Sequence, residues 1–183
     1  MNIEVEIRAK IDDFTEIKQV LGKIGAKFIK SVNQIDKIFG AAKFLDSEHK
    51  IIEGGLSARI RGVNGKRTLE FKEILREKGG IELSAEVFSI ESAEKILRKL
   101  DFEPAFTIKK ARDSYSFQDF TICLDKVERL GNFIEIEKII QSEDKVDEAR
   151  KECLSLLETI APGSKIETRK YGDLMQDLTN QRK

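Results

Sequence analysis

The chain has few of the residues that form covalent or zinc-bound scaffolds. Its 183 residues include two cysteines, one histidine and two prolines. Cys123 and Cys153 are far apart and His49 is the single histidine, so neither a disulfide framework nor a zinc site is indicated. Low-complexity segments and Gly/Ser-rich linkers are also missing, which predicts one continuous domain over residues 1–183.

Long apolar runs and an excess of charge of one sign are missing as well. No run approaches the roughly 20 residues that cross a bilayer, and the first residues form no apolar signal core. We therefore expect a soluble, cytoplasmic protein without a membrane partner. Lysines plus arginines number 33, as do aspartates plus glutamates, so the formal charge is zero. A general nucleic-acid binder needs a cationic excess, so nucleic acid is not an expected partner.

What the sequence does have is strong periodicity. Alternation of apolar and charged residues, clearest from Asn2 to Ile11, is typical of strands. Eight strands are predicted, over residues 2–11, 26–39, 56–63, 66–74, 81–89, 105–117, 120–127 and 132–140. Helical spacing predicts helices from Asp12 or Asp13 to Gly25, over 91–100 and over 145–160, and a short one over 170–178. Asn64-Gly65 predicts a type I′ turn, and 40–55 is interpreted as a loop with one short helical turn.

Many of the strands carry acids and bases at every second position, so one face collects them. These residues are Glu4, Glu6, Arg8, Lys10, Arg59, Arg61, Glu70, Lys72, Glu82, Glu86, Lys110, Arg112, Asp125, Glu135 and Glu137. An open antiparallel sheet with one solvated face would explain each strand taken singly. A sheet this long tends to curl or close, however. We therefore expect an α+β fold: a closed eight-stranded antiparallel β-barrel, its charged face inward, with the helices packed outside.

A lumen of this composition requires a highly charged ligand, because buried charges are costly unless they are paired or bound. Carboxylates and cations together suit a polyphosphate and the divalent ions that accompany it. Since only oxygen donors are on offer, Mg²⁺ or Mn²⁺ is the expected cofactor. No nucleophilic dyad is visible; His49 is interpreted as a surface loop residue and the cysteines as packing residues. Chemistry would then rest on positioning and electrostatics.

An ordered set of motifs resembles the CYTH superfamily, the triphosphate tunnel metalloenzymes, and especially its class IV adenylate cyclase branch. The resemblance covers nearly the whole chain. It rests on EVEIR at 4–8, which is similar to the family's ExExK signature, ARIR at 58–61, LEFK at 69–72, KAR at 110–112, CLD at 123–125 and LGNFIEIE at 130–137. It implies an eight-stranded tunnel that holds a nucleoside triphosphate, or an inorganic or organic triphosphate, with a homodimer as the expected assembly.

The resemblance also implies roles for individual residues. The implied metal ligands are Glu4, Glu6, Asp125, Glu135 and Glu137. The implied phosphate ligands are Arg8, Lys10, Arg59, Arg61, Lys72, Lys110 and Arg112, of which Arg8, Lys110 and Arg112 would be catalytic. Phe133 either faces the lumen beside a nucleotide base or packs in an apolar wall.

One departure concerns Arg8, which stands where the signature has lysine; a planar guanidinium does not replace a compact ammonium without a change of geometry. Three functions are consistent with the pattern. The favoured one is an adenylate cyclase, in which the ribose 3′-hydroxyl of ATP attacks the α-phosphorus and pyrophosphate leaves. The second is a triphosphatase acting on tripolyphosphate, thiamine triphosphate or a nucleotide. The third is a non-catalytic polyphosphate- or nucleotide-binding module.

Overall fold

The structure, a computed structural model, describes residues 3–46, 51–73 and 82–180. Nine strands are found there: β1 Ile3–Ile11, β2 Lys27–Gly40, β3 Leu56–Val63, β4 Lys66–Glu73, β5 Glu82–Glu86, β6 Glu103–Phe117, β7 Phe120–Val127, β8 Gly131–Ile140 and β9 Lys165–Ile166. The eight predicted strands are confirmed with shifted ends. The ninth, β9, was not predicted, because two residues cannot show a period. His49 lies outside the described residues.

Four helices are present in the described part of the chain. They are α1 Thr15–Lys23, α2 Ile90–Lys99, α3 Val146–Ile160 and α4 Tyr171–Asn180. A short 3-10 turn at Ala42–Phe44 matches the helical turn expected in the 40–55 segment, and a second one, Glu143–Lys145, precedes α3. Within residues 3–46, 51–73 and 82–180, no helix combines the length and the apolar character that crossing a membrane requires.

The strands form one nine-stranded sheet in the order β5-β4-β3-β2-β6-β7-β8-β1-β9. The pairs with a defined register are antiparallel. Among the described residues, β5 and β9 are the two ends of this order and do not pair with each other. The expected α+β class with a large antiparallel sheet is therefore found, whereas the closed eight-stranded barrel is not confirmed.

The chain divides into two compact units, and the first comprises Met1–Val32 and Lys110–Lys183. Its core lies where the apolar faces of β1, β7 and β8 meet α1 and α3, with Ile7, Leu124 and Ile136 among the buried side chains. Because successive strand residues point to opposite faces, burying this apolar set leaves the charged set of the same strands on the other face. That charged face carries the candidate site of this unit.

The second unit comprises Asn33–Lys109. Its core combines β2 and β3 with α2, and includes Phe39, Ile60 and Leu97. The predicted hairpin turn is confirmed: Asn64 and Gly65 have φ angles of 49° and 82°, as both central residues of a type I′ turn require. The turn sets β3 against β4 in a register that places Arg59 opposite Glu70. The prediction that residues 1–183 form a single domain stays a prediction.

Candidate metal and phosphate site

Three carboxylates come together on the charged face of β1 and β8. The register places Glu6 opposite Glu137, and Glu4 lies two residues before Glu6 on the same face. One carboxylate oxygen from each of the three lies within 4.8 Å of the others. Glu4 and Glu6 are exposed and Glu137 is half-buried. Such a group of oxygen donors is able to hold a hard divalent cation.

The acidic cluster raises the pKa of its least exposed member. Burial, which disfavours the charged form, lifts the pKa of Glu137 to about 7; the negative charges of Glu4, Glu135 and Glu6 add to this, while Arg112 opposes it. The guanidinium of Arg112 approaches Glu137 with 3.7 Å between Nη1 and Oε1. The nearby carboxylates therefore still raise the pKa of Glu137 in the presence of Arg112, and a divalent cation would relieve this repulsion.

Next to the acidic cluster, Asp125 is the centre of a buried ion-pair network. Its carboxylate is fully buried. Arg112 donates to both oxygens, each at 2.6 Å, and Lys110 Nζ donates to Oδ2 at 2.8 Å. The hydroxyl of Tyr171 donates to the same Oδ2 at 3.0 Å. Arg112 also pairs with buried Glu135, which links the network to β8.

Arg8 lies on the other side of Glu135 and is itself buried. Its Nε donates to Glu135 Oε1 at 2.6 Å, and its Nη1 donates to the carbonyl oxygen of Arg169 at 2.8 Å. The guanidinium carbon lies 4.2 Å from the centroid of the Tyr171 ring. A third nitrogen, Nη2, reaches Glu6 at 3.5 Å and so connects the network to the acidic cluster.

The pKa values of this network follow from its burial and its charges. Burial disfavours the charge on Asp125, yet the hydrogen bonds and charges of Arg112 and Lys110 hold its pKa below the usual range. For Arg112, burial again opposes the charge, but Asp125 and Glu135 raise its pKa. Burial raises the pKa of Tyr171, and the negative charges of Glu135 and Asp125 raise it further. Tyr171 is therefore a neutral hydrogen-bond donor and not a general base.

The second unit has a polar cluster of its own around Asp36. Buried Asp36 accepts a bidentate pair from Arg61, at 2.9 and 3.0 Å, and a hydrogen bond from the Gln34 amide at 2.8 Å. Arg59 donates to Glu70 at 2.6 Å through its Nε. A cavity of about 70 Å³ adjoins this cluster, lined by Ile38, Ser57, Ala58, Arg59, Glu70 and Lys72. The guanidinium of Arg59 and the ammonium of Lys72 at this cavity suit a phosphate group.

The structure brings many of the implied site residues together within their own unit. In the first unit, Glu4, Glu6 and Glu137 form the acidic cluster, whereas Asp125 and Glu135 are occupied by ion pairs with Arg8, Lys110 and Arg112. Lys10 is exposed and stands opposite Phe133 in the β1–β8 register. In the second unit, Arg59 and Lys72 line the small cavity and Arg61 pairs with Asp36.

The family model of the CYTH domain matches residues 2–171 of this chain. The chain belongs to the CYTH domain family. Members of this family are adenylate cyclases or triphosphatases, and they bind triphosphate substrates and depend on divalent metal ions. The resemblance inferred from the ordered motifs is thereby confirmed.

Individual relatives agree with the family assignment. The chain is 32% identical over 163 residues to a Methanocaldococcus jannaschii protein described as "Putative adenylate cyclase", over 86% of this chain and 89% of that one. A solved structure of a conserved hypothetical protein from Pyrococcus furiosus is similar at 28% identity and a TM-score of 0.75, covering 94% of this chain and 99% of that one. A Hippeastrum structure, described as a "Putative adenylyl cyclase" with a dominant triphosphatase activity, covers 97% and 96% at 16% identity and a TM-score of 0.66, a likeness of fold alone.

The divalent ion on which CYTH proteins depend fits part of the implied ligand set. Glu4, Glu6 and Glu137 offer oxygen atoms at one place and repel one another, and both properties suit Mg²⁺ or Mn²⁺. Asp125 and Glu135 fit less well, since cations of the protein already neutralise them. Within the described residues, the donors for a metal are thus concentrated at the ends of β1 and β8 that carry Glu4, Glu6 and Glu137.

Sequence reasoning missed Asp36 and Tyr171, which both belong to these clusters. Asp36 is the single acid of β2 and lies next to Lys37, so its neighbours gave no signal of a buried charge. Tyr171 follows a polar segment near the C-terminus, where no periodicity connects it with Asp125, 46 residues earlier. By contrast, Cys123 and Cys153 are free and buried, as predicted, and burial raises the pKa of Cys123 to about 12, so an inert thiol is expected.

Proposed function

We propose that this CYTH protein is a divalent-metal-dependent phosphoryl-transfer enzyme acting on a triphosphate, and that its reaction is that of a class IV adenylate cyclase. The observation that carries the proposal is the contact between two groups on one face of the first unit. An acidic cluster suited to a metal lies beside three cations, Arg8, Lys110 and Arg112, and two of these, Arg8 and Arg112, contact Glu6 and Glu137 of the cluster. Phosphoryl transfer needs positioning and charge stabilisation of this kind, and little covalent help.

Each group has a proposed role. Glu4, Glu6 and Glu137 hold Mg²⁺ or Mn²⁺, which supplies positive charge where the phosphate oxygens become more negative. Arg8, Lys110 and Arg112 bind phosphate oxygens by exchanging part of their ion pairs with Asp125 and Glu135 for bonds to the ligand. We assign phosphate binding to Lys10 as well, as the family resemblance implies. We assign phosphate binding also to Arg59, Arg61 and Lys72 of the second unit, as the family resemblance implies.

In the cyclase reaction the ribose 3′-oxygen forms a bond to the α-phosphorus of ATP. The bond from that phosphorus to the bridging oxygen breaks, pyrophosphate leaves and the hydroxyl proton is released. The products are cyclic AMP and pyrophosphate. Support for this reaction comes from the Methanocaldococcus jannaschii protein, which is 32% identical to this chain and is described as a "Putative adenylate cyclase".

A triphosphatase is the second candidate, and the environment of Phe133 favours it. Phe133 is 1% exposed and its ring makes an edge contact with Tyr171, with 5.1 Å between the centroids. Phe133 is therefore packed inside the protein and does not offer an exposed ring to a nucleotide base. Tripolyphosphate, or another triphosphate hydrolysed at its terminal phosphorus, needs no base platform. The Hippeastrum protein, which shares the fold, is described as having a dominant triphosphatase activity.

Product analysis separates the candidates. The protein is incubated with ATP and with tripolyphosphate, in Mg²⁺ and in Mn²⁺, and the products are resolved by chromatography. Cyclic AMP with pyrophosphate supports the cyclase, and inorganic phosphate supports the triphosphatase. Binding without turnover, seen as a higher Tm in the presence of either compound, would leave a non-catalytic binding module and would refute both enzymes.

A further inference from the structure

Main-chain and side-chain hydrogen bonds attach the C-terminal segment to β1 and to Arg8. Strand β9 pairs with β1 at Ala9 and Lys10, and the amide of Glu167 donates to the carbonyl oxygen of Arg8 at 2.8 Å. The Arg8 guanidinium in turn donates to the carbonyl oxygen of Arg169. These bonds fix the start of α4 beside Arg8, and therefore fix the position of Tyr171, the first residue of that helix.

Contacts with Arg8, Lys110, Asp125 and Phe133 connect Tyr171 to the site and to β8. Its ring lies 4.2 Å from the guanidinium carbon of Arg8 and 5.1 Å from the ammonium of Lys110, both distances measured to the centroid. Its hydroxyl donates to Asp125, and its ring edge meets Phe133. The side chain is buried, so these contacts are made away from bulk water, where a cation over an aromatic face is held most strongly.

The contacts of Tyr171 limit how the side chains of Asp125, Arg8 and Lys110 move when phosphate binds. Oδ2 of Asp125 accepts from Lys110, Arg112 and Tyr171, and two of those three donors are proposed phosphate ligands. When Lys110 turns toward a phosphate oxygen, the neutral hydroxyl still holds the carboxylate in place. The ring likewise limits the directions that the Arg8 and Lys110 side chains are able to take.

We propose that Tyr171 is a positioning residue of the active site, whose hydroxyl orients Asp125 and whose ring orients Arg8 and Lys110 for binding to the triphosphate. The proposal rests on the proposed phosphoryl-transfer function. It adds to that function a residue outside the charged strands, supplied by the C-terminal helix. It also accounts for Arg8 in place of the signature lysine, because a planar guanidinium stacks on the ring and bonds Arg169 and Glu135 at once.

Two substitutions at Tyr171 separate the hydroxyl from the ring. Tyr171→Phe removes one hydrogen bond and leaves the net charge unchanged, so ground-state binding is largely kept while the cations are less well aligned with the charge that develops in the transition state. We expect kcat to fall roughly tenfold and KM to change by less than about threefold. Tyr171→Leu also removes the cation–aromatic contacts, and we expect KM to rise roughly tenfold in addition.

Two control variants distinguish positioning from folding. Tyr115→Phe makes the same chemical change in the same unit, at a tyrosine whose ring makes an edge contact with Phe28. Leu174→Ala weakens the packing of α4 without altering a group that contacts the cations. Both should keep kcat and KM within about twofold of the wild type, while Leu174→Ala lowers Tm. Wild-type kcat and KM in Tyr171→Phe would overturn the proposal, as would a fall in kcat for Leu174→Ala equal to that for Tyr171→Phe.

The proposed function and the role of Tyr171 can be refuted by different results. If the wild type turns over neither ATP nor tripolyphosphate, the enzyme proposal is refuted, and the role of Tyr171 is measured by titrating tripolyphosphate in a calorimeter. Weaker binding by Tyr171→Leu, roughly tenfold in Kd, would support the positioning role. An unchanged Kd in that variant would overturn it.

Discussion

Glu6 on β1 stands directly opposite Glu137 on β8, and both side chains lie on the charged face of the sheet. Like charges at directly opposite positions of an antiparallel pair destabilise the sheet. The pair nevertheless has Glu4 beside it, so three carboxylates share one region. Carboxylates that repel one another and raise a pKa in this way are typical of a functional site and not of a structural one.

Replacing Glu137 by Gln tests this interpretation. The variant should lose metal-dependent turnover of ATP and tripolyphosphate, and Mn²⁺ should no longer raise its Tm, because one of three donors is neutral. Without metal its Tm should equal or exceed that of the wild type, since repulsion is relieved. Glu16→Gln, at an exposed position of α1, is the matched control and should behave as the wild type. A strongly lowered Tm of metal-free Glu137→Gln would indicate a structural ion pair instead.

The pH dependence of stability should report the same carboxylate. Because the folded-state pKa of Glu137 is raised to about 7, the folded protein keeps a proton that the unfolded chain releases near its ordinary pKa. The free energy of unfolding without metal should therefore fall as pH rises through that window, by on the order of 3 kcal/mol. Urea unfolding at a series of pH values measures the slope. The slope should be absent in Glu137→Gln; an equal slope in that variant would assign it to other groups.

Removing the charge of Asp125 should lower stability, in contrast to the same change at Glu137, because the Asp125 carboxylate is fully buried and paired. Asp125→Asn leaves Lys110 and Arg112 without their carboxylate, and breaking such a pair costs about 3–5 kcal/mol of unfolding free energy. Asp113→Asn is the matched control: its pair with Lys18 is partly exposed and worth at most about 1 kcal/mol. Urea unfolding of both variants, near neutral pH, gives the comparison. Equal losses would show that the Asp125 network is no stronger than a surface pair.

Arg8→Lys restores the residue of the family signature and tests why this chain departs from it. Lysine is unable to stack a plane on Tyr171 while bonding Glu135 and the carbonyl oxygen of Arg169. We expect a loss of about 1–3 kcal/mol in unfolding free energy, together with lower turnover. Arg98→Lys, at an exposed pair with Glu103, serves as the control. Higher turnover in Arg8→Lys at unchanged stability would mean that this position needs an ammonium group.

Local pattern was enough for the four helices and eight of the nine strands in the described part of the chain, and for the residues of the charged face. Alternation along β1 and β8 placed Glu4, Glu6 and Glu137 on one side, because the two-residue period of a strand is a local property. The dipeptide Asn64-Gly65 determined its turn for the same kind of reason, since few residues accept positive φ at both positions. The ordered motifs were sufficient to indicate the CYTH family, which the match over residues 2–171 confirms.

Tertiary structure alone decided which charges pair and which remain for a ligand. The family resemblance implied the same metal-binding role for Asp125, Glu135 and Glu137. In the structure, Arg8, Lys110 and Arg112 neutralise Asp125 and Glu135. Glu137 instead lies near other carboxylates, which raise its pKa. Register across strands decides such partners, and it depends on residues more than 100 positions apart. Tyr171 reaches Asp125 only because β9 and α4 return the chain to β1, a long-range contact that no period in the sequence encodes.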